Sequence, residues 1–195
     1  NGLELRKIGP EELREIEPHA NGLAAIHVPM AGIVNYADVC RAFVRIILEH
    51  GGDLHLNTLV QNVVEMKDEV IIESNQKTFR AKMFINCAGL YSDRIAKLTQ
   101  KELELKIVPF RGEYYELKPE KRYLVKNLIY PVPNPNFPFL GVHFTRMIGG
   151  RVEAGPNAVL SFKREGYSKT DFNLKDFSEV MLYPGFWKLA AKYWK

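Results

Sequence analysis

The chain has 195 residues, of which 46% are hydrophobic, so it is long enough to bury the core of one or two domains. Its 27 lysines and arginines against 23 aspartates and glutamates give a net charge of +4 without long runs, which argues against nucleic acid as a partner and suits an anionic ligand. The two cysteines, Cys40 and Cys87, have no Cys/His cluster near them, so we expect no metal site and a reducing compartment, the cytoplasm.

The first part of the chain predicts a short helix followed by extended structure. The helix starts at Gly9-Pro10, because proline suits the first helical position, and Pro18 ends it. Residues 23–30 predict a strand, with a return at Ile33-Val34 after a turn.

The clearest helical pattern follows this extended segment. Asn35 or Asp38 is the predicted N-cap, and Gly51-Gly52 predicts the end of the helix. Its apolar positions recur at helical spacing, at Val39, Phe43, Ile46 and Ile47.

β-Branched residues then predict a strand at 54–59 and a small antiparallel meander. Val63-Val64 and Val70-Ile71-Ile72 flank a charged turn at Lys67-Asp68-Glu69, and Asn75-Gln76-Lys77 predicts a second turn. The order of helix, strand, meander and buried strand fits a dinucleotide-binding domain in which the meander replaces one crossover helix.

The apolar run at residues 83–85 predicts that buried strand, and Ala88-Gly89 predicts the tight turn after it. Ser92 or Asp93 is expected to cap a helix over residues 92–98. Small side chains at Ala88 and Gly89 leave room for a large flat group against the backbone, although close strand-on-helix packing explains them as well.

Beyond residue 105 the composition changes to strands rich in aromatic residues and proline. Residues 106–162 predict an antiparallel sheet, with Gly149-Gly150 as a hairpin turn and one face lining a cleft. Helical patterns return at 174–181 and at 186–195. Because the chain starts at Asn1 and stops inside this last pattern, we expect it to be an internal piece of a longer protein.

Several motifs resemble one enzyme family. Asn86-Cys87-Ala88-Gly89-Leu90-Tyr91-Ser92-Asp93 is similar to the second flavin-contacting segment of the FAD-dependent, D-amino-acid-oxidase-like oxidoreductases. Later motifs resemble one member group, the L-2-hydroxyglutarate oxidases/dehydrogenases, and the similarity runs from about Pro29 to Trp194. These motifs are Ile107-Val108-Pro109-Phe110-Arg111-Gly112-Glu113-Tyr114-Tyr115, Leu128-Ile129-Tyr130-Pro131-Val132-Pro133, Pro138-Phe139-Leu140-Gly141-Val142-His143-Phe144-Thr145-Arg146, Ala154-Gly155-Pro156-Asn157-Ala158 and Tyr183-Pro184-Gly185-Phe186-Trp187.

The resemblance implies an α/β (α+β) fold with two parts. A partial Rossmann-like FAD/NAD(P)-binding layer with a β-meander is expected over residues 35–100. An antiparallel-sheet substrate domain is expected from residues 1–34 and 101–182, and residues 183–195 would lead to a further C-terminal part.

The resemblance also implies the chemistry, which is FAD-dependent oxidation of a 2-hydroxy acid, L-2-hydroxyglutarate to 2-oxoglutarate. Oxidation of an amino acid or of glycerol-3-phosphate is the alternative within the family. The family's phosphate-binding GxGxxG loop does not occur in these 195 residues, so a fragment without flavin and without activity of its own is the alternative of a different class.

For the cofactor, the resemblance implies backbone contacts at Val60, Cys87, Ala88 and Gly89. The family position that matches Val60 meets the adenine, although the residue pattern alone describes an ordinary valine at the end of a strand. Peripheral membrane association of the parent protein is left open, and the sequence reveals neither the oligomeric state nor the electron acceptor.

For the substrate, His143 is the predicted catalytic base, because an imidazole has a suitable pKa, although a lone strand histidine is more often structural. Arg111 and Arg146 are the predicted partners of the two carboxylates of a dicarboxylate substrate, with strand-edge or ion-paired arginines as the alternative. Tyr114 and Tyr130 would donate hydroxyl groups to the substrate or pack in the core.

Two further residues complete the predicted substrate site. His27, ahead of the Ala31-Gly32 turn, is a second histidine candidate near the flavin. Asn157 lies in a predicted rigid loop at residues 155–158, where its amide would bind the substrate or, as we prefer, hold the turn.

Overall fold

The computed structural model describes residues 2–100, 102–136 and 141–193. The chain divides into two compact units, Asn1–Asp53 with Gly112–Ala158, and Leu54–Arg111 with Val159–Lys195. The domain boundaries expected from the sequence, at residues 35 and 101, stay a prediction.

The first unit begins with a two-stranded ribbon and a short helix. Helix α1 (Pro10–Ile16) starts at the predicted proline. Strand β1 (Arg6–Ile8) pairs antiparallel with β2 (Ala25–His27). The predicted strand at 23–30 is therefore wrong in length and in partner, because Arg6–Ile8 and not a return at 33–34 supplies its hydrogen-bond ladder.

Helix α2 (Tyr36–Glu49) confirms the clearest helical prediction. The Asn35 side chain accepts a hydrogen bond from the Ala37 N–H at 3.0 Å, which is an N-cap contact. Gly51 follows the helix with φ of +77°. The apolar stripe is mostly exposed, however, with Phe43 61% accessible and Val39 half-buried.

A three-stranded sheet, most of which belongs to the first unit, has the order β6–β8–β7. Its strands are β6 (Phe110–Glu116), β7 (His143–Arg146) and β8 (Val152–Leu160). Strands β7 and β8 pair antiparallel around the predicted Gly149-Gly150 turn, where both glycines have positive φ. Val152 is fully buried and marks the core of this unit. A 3₁₀ helix at Pro119–Leu124, which the sequence did not predict, lies between β6 and β7.

A buried carboxylate joins distant parts of the first unit. Glu17, just after α1, is 3% exposed. It accepts hydrogen bonds from the backbone N–H groups of Lys126 at 3.0 Å and Asn127 at 2.5 Å, and from the Asn127 side chain at 2.8 Å. These three donors satisfy a charge that burial would otherwise disfavour.

The second unit contains the predicted meander. Strands β3 (Val60–Glu65), β4 (Val70–Ser74) and β5 (Thr78–Ala81) form an antiparallel sheet in sequence order. Val63 on β3 lies opposite Ile72 on β4, and both are buried. The two predicted turns are confirmed.

The two other predicted strands of the second unit are wrong. Residues 54–59 and 83–88 have no strand structure, and Leu56 and Ile85 are 69% and 73% exposed. Within the described ranges no strand pairs with either segment, so their apolar residues have neither a ladder nor a sheet face to join.

Helix α3 (Ser92–Ala96) follows a 3₁₀ turn at Gly89–Tyr91 and is shorter than predicted. The predicted Ser92 or Asp93 cap is wrong, because Tyr91 occupies the N-cap without a side-chain bond and the Asp93 carboxylate binds Arg164.

Helix α4 (Leu174–Met181) has the predicted bounds and is capped by Asn173, whose side chain accepts from the Asp176 N–H at 3.0 Å. Helix α5 (Pro184–Tyr193) begins at its proline. Helices with antiparallel sheets confirm the predicted mixed α/β class. None of the helices in the described part of the chain has the length and apolar character needed to cross a membrane.

Candidate functional site

His143 is the first residue of β7. It is 7% exposed, so its side chain is buried. Its Nδ1 lies 3.1 Å from the carbonyl oxygen of Gly141. Because a carbonyl only accepts hydrogen bonds, Nδ1 carries the proton, and in the neutral ring Nε2 keeps its lone pair. The residues just before Gly141, at 137–140, lie outside the described part of the chain.

Two tyrosine rings flank this imidazole and form with it the aromatic cluster of Tyr114, Tyr130 and His143. Tyr130 stacks on His143 with ring centroids 4.3 Å apart and planes at 20°. Tyr114 meets His143 edge-on at 6.4 Å and 74°. Paired hydrogen bonds between Ile129 and Phe144, at 3.0 and 2.9 Å, hold Tyr130 beside β7. The structure thus brings three of the predicted site residues together.

The neighbouring strand leaves room for the Tyr114 ring. Gly155 on β8 lies directly opposite His143, and a Cβ at Gly155 would stand 2.6 Å from Cδ1 of Tyr114. Any larger residue would therefore displace that ring.

Asn157 lies further along β8 and is exposed. The predicted rigid loop at 155–158 is wrong, because these residues continue the strand whose ladder to β7 reaches Gly155. Its predicted substrate contact stays a prediction.

Arg146, at the end of β7, is engaged with the protein backbone. One terminal guanidinium nitrogen, Nη2, donates to the carbonyl oxygens of Arg122 at 3.1 Å and Val125 at 2.5 Å. These groups lie at the C-terminal end of the 3₁₀ helix Pro119–Leu124, where the Arg122 carbonyl also accepts from the Val125 N–H at 3.4 Å. Arg146 therefore caps that helix, and its predicted contact with a carboxylate stays a prediction.

His27 ends β2, opposite Arg6 on β1. Its Nδ1 lies 3.4 Å from a guanidinium nitrogen of Arg6, which also pairs with Glu12 at 3.0 Å. The predicted role of His27 near a flavin stays a prediction.

In the second unit, the predicted cofactor-contacting residues lie in what we call the 86–92 bend. Asn86 stabilises this bend from both sides, since its Oδ1 accepts from the Ala88 N–H at 3.2 Å and its Nδ2 donates to the Ser92 carbonyl at 2.8 Å. Gly89 has φ of +53°, a conformation that favours glycine. Cys87, Ala88 and Gly89 are all exposed.

The shape of the 86–92 bend is compatible with a flat ligand. A Cβ at Gly89 would meet no atom within 4 Å, so the space over this backbone is open. The methyl group of Ala88 is too small to fill this space, and Gly89 has no side chain. Val60, the other predicted contact, begins β3 opposite Ser74 and is half-buried.

Beside the bend lies a buried charge cluster, which sequence reasoning missed. It consists of Asp93, Arg94, Arg164, Asp176 and Glu179, and Arg164 is 4% exposed. Asp176 and Glu179 are three residues apart on α4, so one helix face carries two carboxylates. Two features of the sequence could have indicated the cluster. They are the three-residue spacing of these carboxylates and the arginine that follows the apolar strand β8.

Ion pairing sets the charge state of this cluster. Burial raises the pKa of Asp93, but hydrogen bonds from Arg164 and from the Ile107 N–H outweigh it, so the pKa lies below the ordinary value of 3.8. The pKa values of Asp176 and Glu179 are lowered in the same way, by hydrogen bonds from Arg164 and Arg94 that exceed the effect of burial. All three carboxylates are therefore charged at neutral pH.

Arg111, on β6, donates through Nη1 to the Ser168 carbonyl at 2.7 Å. Its predicted carboxylate contact stays a prediction. Among the residues that the structure describes, no group of three or more His, Cys, Asp or Glu side chains is arranged to hold a metal ion.

A family model described as "FAD dependent oxidoreductase" matches residues 1–194. The chain belongs to the FAD dependent oxidoreductase family. The family predicted from the sequence motifs is therefore confirmed.

Relatives within this FAD dependent oxidoreductase family are close in sequence. The chain is 54% identical to the L-2-hydroxyglutarate dehydrogenase of Indibacter alkaliphilus, covering 100% of this chain and 49% of that protein. It is 47% identical to the protein of the same name from Escherichia coli K12, covering 93% and 43% respectively. The chain thus spans about half the length of the curated relatives it matches.

Solved structures support the family fold. The crystal structure of glycine oxidase from Bacillus cereus matches with a TM-score of 0.62 at 17% identity, covering 91% of this chain and 46% of that one. At this identity the likeness concerns the fold and not the substrate.

Proposed function

We propose that the full-length protein oxidises L-2-hydroxyglutarate to 2-oxoglutarate with FAD as the cofactor. The observation that carries this proposal is the 54% identity, over the whole chain, to a protein named L-2-hydroxyglutarate dehydrogenase. The likeness to glycine oxidase is a likeness of fold and gives no weight to an amino-acid substrate.

In this proposal His143 is the catalytic base. Nε2 accepts the proton of the 2-hydroxyl group, since the hydrogen bond of Nδ1 to Gly141 leaves the lone pair on Nε2. Bound FAD would supply the acceptor for the hydride of the α-carbon. Loss of one proton and one hydride converts the alcohol to the 2-oxo acid, which balances the reaction.

The tyrosines beside His143 serve two purposes in this scheme. Tyr130 covers one face of the imidazole and fixes its plane. The hydroxyl groups of Tyr114 and Tyr130 donate to the substrate.

Cations and amides hold the dicarboxylate. Arg111 and Arg146 bind the two carboxylates, because a guanidinium grips a carboxylate with two parallel hydrogen bonds. For Arg146 this function is added to its contacts with the Arg122 and Val125 carbonyls. His27 and Asn157 contribute secondary contacts to the substrate.

The second unit supplies contacts to FAD. Cys87, Ala88 and Gly89 present an exposed backbone on which a flat ring can lie, and Val60 meets the adenine end through its backbone. The cradle for the phosphates comes from outside these 195 residues, which contain no GxGxxG loop.

We assign residues 35–100 to the FAD-binding domain, residues 1–34 and 101–182 to the substrate domain, and residues 183–195 to a connection to a further C-terminal part. We propose that the protein acts in the cytoplasm, with association of the parent protein with the inner face of the membrane as the alternative. The free thiols of Cys40 and Cys87 are consistent with that reducing compartment. Cell fractionation tests this location.

Anaerobic reduction of bound flavin tests the proposed substrate. The full-length protein is saturated with FAD, and its visible absorption is followed after adding L-2-hydroxyglutarate, D-2-hydroxyglutarate, glycine or glycerol-3-phosphate. We expect bleaching by the L-enantiomer alone, with one 2-oxoglutarate formed per flavin. Bleaching by another compound, with none by L-2-hydroxyglutarate, contradicts the proposal.

A further inference from the structure

The guanidinium of Arg164 is the most buried cation of the described residues, with its side chain 2% accessible. Its Nη1 donates to Asp93 Oδ1 at 2.5 Å and its Nη2 to Asp93 Oδ2 at 2.8 Å, which is a bidentate pair. The backbone N–H of Arg164 donates to Asp176 at 2.9 Å, so main chain and side chain are both fixed. Arg164 is therefore held in one position.

The same Nη1 also donates to the carbonyl oxygen of Leu90 at 2.5 Å. Leu90 is the middle residue of the 3₁₀ turn Gly89–Tyr91, where backbone carbonyls have few partners within the turn. Asp93, on the helix that follows this turn, accepts from the Ile107 N–H at 3.1 Å as well. Leu90 in the 86–92 bend and Asp93 just after the bend are thus bound to one guanidinium.

The guanidinium carbon of Arg164 also lies 5.9 Å from the centroid of the Tyr91 ring, which is within the bend. The other contacts of Arg164 lie away from the bend. Nη2 donates to Glu179 Oε2 at 3.1 Å, and Glu179 also accepts from Arg94 at 2.9 Å. The carboxylates of Asp93 and Glu179 together balance the buried charge of Arg164. The Leu90 carbonyl is neutral, so its contact with Arg164 does not balance charge. This contact fixes the position of the backbone at Leu90.

We infer that Arg164 is a positioning residue for FAD. By holding Leu90 and Asp93, it sets the orientation of the exposed Ala88-Gly89 backbone against which the cofactor lies. This inference rests on the proposed function, in which that backbone contacts FAD. A guanidinium is required because an ammonium cannot make the bidentate pair and the Leu90 contact at once.

The test compares Arg164→Lys with Arg80→Lys in the full-length protein. Arg80 pairs with Glu69 on the meander of the same unit, but its side chain is 65% exposed. For each variant we would measure the FAD dissociation constant by titration of the apoprotein, and the visible circular dichroism of the flavin at saturating FAD. The dichroism reports the ring environment, which a loss of stability alone does not change while the protein is folded.

We expect Arg164→Lys to raise the FAD dissociation constant by about tenfold or more and to change the flavin dichroism. Arg80→Lys should change the constant by less than about twofold and leave the dichroism as in wild type. Glu179→Gln, which keeps the contacts to Leu90 and Asp93, should stay within about threefold of wild type. If Arg164→Lys matches wild type in both measurements, or Glu179→Gln weakens FAD as much as Arg164→Lys does, the inference is overturned.

Hydrogen exchange of the wild type supplies a test that needs no variant to fold. Saturation with FAD should slow amide exchange across residues 86–92, and unchanged exchange there overturns the inference. A wild type that binds FAD but is not reduced by L-2-hydroxyglutarate would contradict the proposed substrate, while the Arg164 measurements would still decide the inference. If the wild-type protein binds no FAD, both the proposed function and the inference about Arg164 are overturned.

Discussion

The ring of Tyr130 lies almost parallel to the imidazole of His143, 4.3 Å from it between centroids. One face of the imidazole is covered, and its Nδ1 is held by the Gly141 carbonyl, so the ring has little freedom to turn. A catalytic base gains from such fixed orientation, because the acceptor nitrogen is already aligned when the substrate arrives.

His143→Asn should slow flavin reduction by L-2-hydroxyglutarate by about 100-fold or more, because the acceptor of the hydroxyl proton is lost. FAD content should stay near that of wild type. Stopped-flow absorbance under anaerobic conditions measures the rate. The matched control is His50→Asn, since His50 makes a similar Nδ1 contact, 2.8 Å from the Ile46 carbonyl, at the exposed end of α2. Equal reduction rates in both variants would remove His143 as the base.

Gly89→Ala should lower the affinity for FAD. The loss of binding free energy should exceed the loss in the free energy of unfolding. With φ of +53° the alanine is strained by about 1 kcal/mol, while its methyl group enters the open space over the bend. Gly51→Ala carries similar strain at φ of +77°, also with no atom within 4 Å of the added Cβ. Urea unfolding and FAD titration of both variants separate the effects. An identical FAD affinity in the two variants would refute a contact between Gly89 and the cofactor.

The charge cluster should make stability depend on pH in the acid range. Because the pKa values of Asp93, Asp176 and Glu179 lie below their ordinary values of 3.8, 3.8 and 4.5, the folded state binds fewer protons than the unfolded state as the pH approaches these values. The stabilisation is complete above the ordinary values and is lost as the pH falls through the lowered ones. Urea unfolding at a series of pH values from 7 downward should therefore show a decline that begins near pH 4.5.

Asp93→Asn should remove part of that decline and should cost about 3 kcal/mol at pH 7, since it leaves the buried Arg164 without its bidentate partner. Asp38→Asn is the control, because Asp38 pairs with Arg41 on the exposed surface of α2. That variant should cost less than about 0.5 kcal/mol. A similar cost for both variants would show that the cluster is not the source of the acid sensitivity.

Arg146→Ala should affect both stability and substrate binding. Loss of two hydrogen bonds to the Arg122 and Val125 carbonyls should lower the free energy of unfolding by about 1–3 kcal/mol. Loss of a carboxylate partner should raise the KM for L-2-hydroxyglutarate by about tenfold. Arg151→Ala, at a 54% exposed arginine 3.7 Å from Glu116, should change neither. Lower stability with an unchanged KM would leave Arg146 as a helix cap alone.

Local signals in the sequence were sufficient for several elements. The cap at Asn35, the turns of the meander and the Gly149-Gly150 hairpin depend on neighbouring residues, so their patterns predict them. Helix α4 was predicted for the same reason.

Elements that depend on distant partners were not predicted correctly. Residues 54–59 and 83–85 have strand-like patterns, but a strand also needs a neighbour, which a pattern cannot supply. The local pattern predicts Asp93 as a helix cap, because it does not show the partner Arg164, which is 71 residues away. Of the candidate site, the sequence predicted His143, Tyr114 and Tyr130 as residues of one substrate site. The ring contacts between them follow from strand pairing, which a local pattern does not show.

The contact of Glu17 with Asn127 joins residues 110 positions apart in the chain, and the first unit contains both. During synthesis on the ribosome, Glu17 therefore emerges long before its partners, whereas the meander at Val60–Ala81 has all of its ladder within a short stretch. Because local pairing closes faster than distant pairing, the meander would form before the contact between Glu17 and Asn127. Until then the Glu17 carboxylate lacks its buried hydrogen-bond donors, and helix α1 is not held to residues 126 and 127.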